Sequence, residues 1–446
     1  MNILLISTYE LGHQPFGLAS PAAWLDRAGH NVTCADLAVE TLPEDAARQA
    51  GLIAFYLPMH TATRLAMPVI ERVKQLNPGA RLACYGLYAP INADLLRSLG
   101  VDAIAGGEFE SGLVELAAGR DAQPVSLERQ DFLLPRRASL PVLNRYAKLR
   151  QNGDAKLVAY TEASRGCKHV CRHCPVTPVY NGAFRVVGRE VVLADLRQQI
   201  AAGATHVTFG DPDFFNGPRH ALAIVEALHA EFPAVTYDAT IKIEHLLKHR
   251  ESLPLLKRTG CLFVTSAVES LDDAVLAKLD KNHTRRDFEE VVTLMRGADL
   301  ALQPTFIAFT PWTTLETYRE LLRTLASLDL VEQVAPVQLA LRLLITAGSR
   351  LLELDEIRAV VGAFDSKALV YPWTHPLAGI DQLARQVFAY VSQAQTRKLS
   401  RTEIFRGVAD LAGAGPLRVA AASLPAPYPS PHIDEPWYCC AEPLPV

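Results

Sequence analysis

Several absences narrow the reading of this 446-residue chain. No apolar run approaches the ~18–20 residues that span a bilayer, so a membrane-embedded protein is not expected. No block of like charge occurs. The 44 Lys and Arg against 48 Asp and Glu leave a net charge of −4, which argues against nucleic acid or an anionic membrane as partner. No Gly-x-Gly-x-x-Gly follows the first apolar segment, which disfavours a dinucleotide. The opening MNILLISTYE lacks a basic lead and a cleavage site, so no secretion signal is read there. The expected location is the cytoplasm, where thiols stay reduced and clustered cysteines suggest metal or catalysis rather than disulfides.

What is present is length enough for two or three domains, and 49% hydrophobic residues to build their cores. Residues 1–118 alternate short apolar strands (NILLIS, NVTCADL, GLIAFYL, RLACYGL, DAIAGG) with helical segments, the pattern of a Rossmann-like, doubly wound parallel sheet. Residues 119–155 carry Pro124, Pro135 and Pro141 with weak periodicity and read as a connection. From Lys156 to Leu352 a second alternation gives six strand–helix units, a partial (β/α)6 barrel. Residues 353–446 read as a small helical region ending in a proline-rich tail, SLPAPYPSPHIDEPWYCCAEPLPV.

RGCKHVCRHC, residues 165–174, places Cys167, Cys171 and Cys174 just past the first barrel strand. Three thiolates on one loop can hold three irons of a [4Fe–4S] cluster, which normally takes four cysteines. The missing fourth leaves one iron open to a ligand. A structural zinc site with His169 or His173 as fourth ligand is the alternative. Such sites usually draw ligands from two separated pairs, and no second pair follows nearby. Polar residues also gather where each barrel strand ends: Asp211 and Asp213, then Lys242 and Glu244, then Glu269 and Ser270, then Thr310 and Trp312, with Arg342 in the sixth strand. Barrel chemistry sits at those ends, because the loops there share one mouth. Arg342 has the fork to hold a carboxylate, or else makes a surface salt bridge.

EASRGCKHVCRHC resembles the CxxxCxxC signature of radical S-adenosylmethionine enzymes, over roughly Lys156–Leu352. The resemblance implies that the open iron binds the amino and carboxylate groups of S-adenosylmethionine. Electron transfer, from a donor such as flavodoxin or ferredoxin, then releases a 5′-deoxyadenosyl radical. It also implies that GDPDFF (Gly210, Asp211, Asp213) meets the methionine amino group and VES (Glu269, Ser270) the methionyl or ribose part. Family members often carry Gly-Gly-Glu where this chain has Gly210-Asp211-Pro212-Asp213.

The first domain resembles the cobalamin-binding domain that precedes many of these barrels, most closely in GGEFE and AMPVIERVKQLNPGA. Ligands of such sheets bind at the carboxyl ends of the strands. Those ends supply Tyr9 and Glu10, His60 and Thr61, Gly86, Leu87 and Tyr88, and Gly106, Gly107 and Glu108. The Asp-x-His-x-x-Gly motif of cobalamin mutases is missing, so His60 is expected to be a wall contact rather than a lower cobalt ligand. An empty scaffold is the alternative. The end, PWYCCAEPLPV, resembles the Cys-Cys-Ala-Glu-Pro tail of one radical S-adenosylmethionine group, in which selenocysteine replaces a cysteine in some members. The resemblance implies that Cys439 and Cys440 are catalytic thiols.

The sequence therefore sets an expectation of a cobalamin-binding radical enzyme that methylates or rearranges a small-molecule substrate. One alternative dispenses with methyl transfer and uses the tail thiols as hydrogen donor or as ligand to arsenic or selenium. A second is a zinc-bearing small-molecule-binding protein. Cys34, Cys84 and Cys261 lie in apolar strands and are expected in the core.

Overall fold

The computed structural model describes residues 1–415, 417 and 430–435. The first domain is a parallel sheet of β1 (Asn2–Ser7), β2 (Asn31–Asp36), β3 (Leu52–Tyr56), β4 (Arg81–Tyr85), β5 (Ala103–Gly107) and the two-residue β6 (Val125–Ser126). Their spatial order is β2-β1-β3-β4-β5-β6. Strand side chains alternate between faces, so Leu4 and Ile6 enter one buried cluster while Ile3 and Leu5 enter another on the opposite face. Two apolar faces demand helices on both sides, as the continuous runs NILLIS and LIAFY foretold. The order reverses between β1 and β3, and ligands of such sheets sit in the crevice at that switch point.

The second sheet runs β14-β13-β12-β11-β8-β7-β15. Here β7 is Lys148–Gln151, β8 Asp154–Thr161, β11 His206–Phe209, β12 Thr236–Thr240, β13 Cys261–Glu269, β14 Ala301–Phe306 and β15 His432–Ile433. The strands from β8 to β14 pair in parallel, whereas β7 and β15 add antiparallel edges. The short strands β9 (Ser164–Gly166) and β10 (Phe184–Val186) form a separate antiparallel pair. Five of the six expected barrel strands are full strands. The sixth, expected in PVQLALRLL, is a single parallel bridge between Phe309 and Arg342, preceded by a 3-10 turn at Pro336–Leu339. Pro336 cannot donate to a ladder, which is why the strand does not begin there.

The 119–155 segment does more than connect, since it gives β6 to the first sheet and β7 to the second. Between β7 and β8, Asn152 and Gly153 both take positive φ (54° and 84°), as a tight two-residue hairpin requires. Helices Ala378–Thr396 and Arg401–Ala412 then pack against the barrel. Cys34, Cys84 and Cys261 are buried, as expected for core cysteines.

Two buried arginines lock the domains together. Arg137 of the connection donates to both oxygens of Asp195 in the barrel helix Arg189–Ala201, at 2.8 and 2.7 Å. Arg165 of β9 donates to both oxygens of Glu110 in the first domain, at 2.9 and 2.7 Å. Paired, forked geometry of this kind offsets the cost of removing charge from water, and losing one partner leaves the other stranded.

Candidate functional site

The thiol loop is held in shape before any metal arrives. Gly166 turns the chain just ahead of Cys167 at φ +75°, and a Cβ there would meet the Tyr180 ring at 2.4 Å and the Ala183 carbonyl at 2.6 Å. No other residue fits. Asn216 brackets the same point, donating to the Gly166 carbonyl (3.1 Å) and accepting from the Lys168 amide (3.2 Å). Further along, Thr177 Oγ1 donates to the Cys171 carbonyl at 3.0 Å, and Arg350 to the Val170 carbonyl at 3.0 Å. Cys167 and Cys171 are buried and Cys174 half-buried, and none is in a disulfide. Burial pushes the Cys167 thiol up to about 12, while the Lys242 ammonium stands 3.6 Å from the Cys171 sulfur. Three thiols on one rigid loop, with a cation beside them, suit a cluster that carries net negative charge on its sulfur ligands.

Around the loop the predicted acids take different places. Asp211 accepts from Ser164 Oγ (2.6 Å) and the Ala163 amide (2.9 Å), so it braces the turn leading to the thiols, and burial raises it to about 7. Gly210 sits beside Tyr160, whose hydroxyl would collide with a Cβ at 2.1 Å. Glu269 ends β13 in the left-handed region at φ +69°. Its Oε1 lies 3.2 Å from His173 Nε2 and 3.4 Å from Lys281 Nζ. Burial alone would raise this carboxyl, but Lys281 and His173 hold it near 2. Ser270 accepts from the Asp272 amide and shapes the following turn. Lys281 was not singled out from the sequence, and His173 only as a possible fourth ligand of a zinc site. Their only signal was a charge twelve residues beyond VES and a histidine inside the cysteine spacing.

Three expected ligand contacts resolve differently. Arg342 donates to Asp381 (3.0 Å) and the Trp373 carbonyl (3.0 Å) and lies 4.0 Å over the Trp373 ring. It therefore fastens the C-terminal region to the barrel, the salt-bridge alternative. His60 Nε2 meets the Ala368 carbonyl at 2.7 Å, and its neighbour Thr61 is buried in the same helix His60–Leu76. Glu108 is the acceptor of Tyr180 Oη at 3.1 Å, raised by burial to about 7. Neither His60, Thr61, Gly106 nor Glu108 faces the main cavity.

That cavity, of about 1000 Å³, lies where the carboxyl ends of both sheets meet. Glu10, Tyr56, Gly86, Leu87, Tyr88 and Gly107 line it from the first domain. Glu162, Arg165, Gly166, Pro175, Gly210 and Asp211 line it from the barrel side, next to the thiol loop. Gly107 takes φ +69°, and a Cβ there would overlap the Ser126 carbonyl at 2.1 Å. Glu10 is raised well above the carboxylate range by burial and by Glu162 and Asp36, and its Oε2 has no hydrogen-bond partner. Deeper in the barrel the wall is neutral and polar, with Thr208, Thr240, Thr265 and Gln303 around Asp238. Asp238 is held by His206 Nε2 (2.9 Å) and Thr208 Oγ1 (2.6 Å). The returning segment closes one side, with β15 on β7 and Glu435 bonded to Tyr9 Oη. Cys439 and Cys440 lie outside the described residues.

With this geometry in hand, residues 161–325 match the Radical SAM superfamily. That domain implies a [4Fe–4S] cluster and S-adenosylmethionine. Its relatives include the hopanoid C-3 methylase of Methylococcus capsulatus, 26% identical over 334 residues, which are 69% of this chain and 64% of the methylase. The chain thus spans less than two thirds of that relative's length. A bacteriochlorophyllide d C-12(1)-methyltransferase of Chlorobaculum tepidum is 27% identical over 149 residues, 32% of each chain. Among solved structures, the cobalamin-dependent S-adenosylmethionine radical enzyme OxsB, with aqua-cobalamin and S-adenosylmethionine bound, superposes with a TM-score of 0.65 at 13% identity, over 88% of this chain and 66% of OxsB. The radical S-adenosylmethionine methyltransferase TsrM of Kitasatospora setae, with tryptophan and a S-adenosylmethionine analogue bound, gives 0.59 at 16% identity, over 74% of this chain and 72% of TsrM. The two-domain fold is therefore a shared one. No helix among the described residues is long and apolar enough to cross a membrane.

Proposed function

We propose that the chain is a cobalamin-binding radical S-adenosylmethionine enzyme that methylates or rearranges a small molecule in the cytoplasm, drawing electrons from a flavodoxin or ferredoxin. The observation that carries this is the single cavity shared by both sheet edges, with the thiol loop beside one wall and a glycine-bordered crevice in the other. When bound, the cluster and S-adenosylmethionine supply a reactive radical, and cobalamin supplies a methyl carrier or electron acceptor. The residues bind and orient. Cys167, Cys171 and Cys174 take the metal. Lys281, fixed by Glu269, and Lys242 place cations at the barrel mouth, where a carboxylate of S-adenosylmethionine needs one. Gly86 and Gly107 keep the first wall flat enough for a large planar ligand. Thr208, Asp238 and Thr265 offer hydrogen bonds to a polar substrate deeper in the barrel.

The cobalt is proposed to have no protein histidine beneath it. Support comes from His60, which does not line the cavity and whose Nε2 meets the Ala368 carbonyl. The test is anaerobic reconstitution with iron, sulfide and cobalamin, followed by electron paramagnetic resonance of the Co(II) form. One cluster and one cobalamin per chain, without a nitrogen splitting that His60→Ala abolishes, is the expected result. Stoichiometric zinc without sulfide would overturn the reading.

A second reading, radical chemistry without methyl transfer, is favoured by the position of Glu435. It lines the cavity and bonds Tyr9, and four more residues extend at most ~14 Å. The Cys439–Cys440 pair is proposed to act there as hydrogen donor. Cys439→Ala and Cys440→Ala are expected to keep the cluster and the cleavage of S-adenosylmethionine while stopping product formation. Normal turnover after truncation at Pro436 would rule this out.

A further inference from the structure

We infer that a second metal site, for one divalent ion of the zinc type, lies beside the thiol loop, formed by His169, Asp213 and His245, with Glu244 behind His169. It goes beyond the proposed function and stands or falls independently of cobalamin.

The four residues come from three loops. His169 sits between Cys167 and Cys171. Asp213 follows β11. Glu244 and His245 belong to the helix Ile243–Lys248 after β12. One donor atom from each of His169, Asp213 and His245 lies within 4.8 Å of the others. Asp213 Oδ2 is 2.6 Å from His245 Nδ1 and 3.7 Å from His169 Nε2. Glu244 Oε2 is 3.6 Å from His169 Nδ1, the other ring nitrogen, and so holds the imidazole from behind. A tetrahedral ion with bonds of about 2.0–2.1 Å has edges of about 3.3 Å, which lies between the separations of Asp213 from its two imidazoles.

The second observation is what these atoms lack. His169 Nε2, Asp213 Oδ2, Glu244 Oε2 and His245 Nδ1 are all buried and all without a hydrogen bond. Asp213 and His245 are close enough for one, yet are not aligned to make it. The side chains of Asp213, His245 and His169 are 0%, 3% and 8% exposed. A buried polar atom without a partner is costly, so the three that converge, His169 Nε2, Asp213 Oδ2 and His245 Nδ1, call for a ligand that satisfies them together. A divalent cation does. Two imidazoles with a carboxylate form a zinc donor set, whereas magnesium and calcium prefer oxygen throughout. Asp213 is also oriented from behind, since its Oδ1 accepts from the Phe215 amide at 3.2 Å, as outer partners of metal ligands commonly do. The ion would tie the middle of the thiol loop to two barrel loops, fixing it apart from the cluster.

The test uses the full chain with its cluster reconstituted, treated with EDTA to remove loose iron, incubated with zinc chloride and desalted. Elemental analysis is expected to find about one zinc per chain besides the cluster iron. Zinc-edge X-ray absorption is expected to show a nitrogen and oxygen shell at about 2.0–2.1 Å. The double variant His169→Gln/His245→Gln should bind zinc at least tenfold more weakly while keeping its iron and sulfide. No retained zinc in the wild type, a sulfur shell near about 2.3 Å, or unchanged zinc in a folded double variant would each overturn the inference. If that variant fails to fold, the wild-type count and ligand shell decide alone.

Discussion

The two sheet edges that face the cavity solve the same problem differently. The first-domain edge presents glycines and rings: Gly86, Gly107, Tyr56 and Tyr88, with Glu10 its one buried acid on the cavity wall. The barrel edge presents Arg165, matched by Glu110 and Glu162, and behind it stand three thiols and further matched charges, Lys242 by Cys171 and Lys281 by Glu269. The first edge selects by shape, because a flat wall lets a large ligand approach the backbone. The second selects by charge, because each buried ion must be paired or hydrogen-bonded to stay ionised. A fold can thus give one cavity a shape-selective wall and a charge-selective wall without mixing the two.

Breaking the charged edge should have the largest effect. Replacing Cys167, Cys171 and Cys174 together with Ala is expected to remove the cluster's iron and sulfide and its brown absorbance entirely. Cobalamin binding, which the proposed function assigns to the other wall, should survive, and its loss would show that the two walls are not separable. Next comes the bolt between the domains. Arg165→Ala strands Glu110 and Glu162 in the interior and should destabilise the protein by about 3–5 kcal/mol, read by denaturant unfolding. A loss under 1 kcal/mol would mean that the domains dock without it.

The junction can also be probed by pH. His13, on a first-domain loop, stacks on Tyr160 of β8 with ring centroids 4.6 Å apart. Burial lowers it from 6.5 to about 4, partly opposed by Asp238. The unfolded chain therefore takes up a proton that the folded chain refuses. Stability from the neutral ring is complete above pH 6.5 and drains away as pH falls towards 4. Wild type should lose about 3 kcal/mol more than His13→Phe between pH 7 and pH 4. Parallel curves for the two proteins would contradict this. The smallest effect is expected on the glycine wall. Gly107→Ala, strained at φ +69° and pressed on Ser126, should weaken cobalamin about tenfold and leave cluster content unchanged, by absorbance titration and iron analysis.

Much of this was legible in the chain. The thiol spacing marked the loop that gathers three cysteines, and the apolar runs located ten of the strands. Asn152-Gly153 was a hairpin signal in plain view, passed over because the surrounding segment looked like a linker. Arg342 misled, since one arginine near a strand end looks the same whether its carboxylate belongs to a ligand or to Asp381. The tail's role rests on residues 436–446, beyond the described structure.

The sequence by itself determined which elements form and which thiols are neighbours, because periodicity and spacing act over a few residues and are written in consecutive letters. Only the tertiary structure decided the pairings. Arg165 meets Glu110 across 55 positions, His173 meets Glu269 across 96, and Glu435 meets Tyr9 across 426. Many carboxylates compete for each cation on paper. What selects among them is burial, which penalises every unpaired charge by kilocalories and so leaves few arrangements of the folded chain in which all are satisfied.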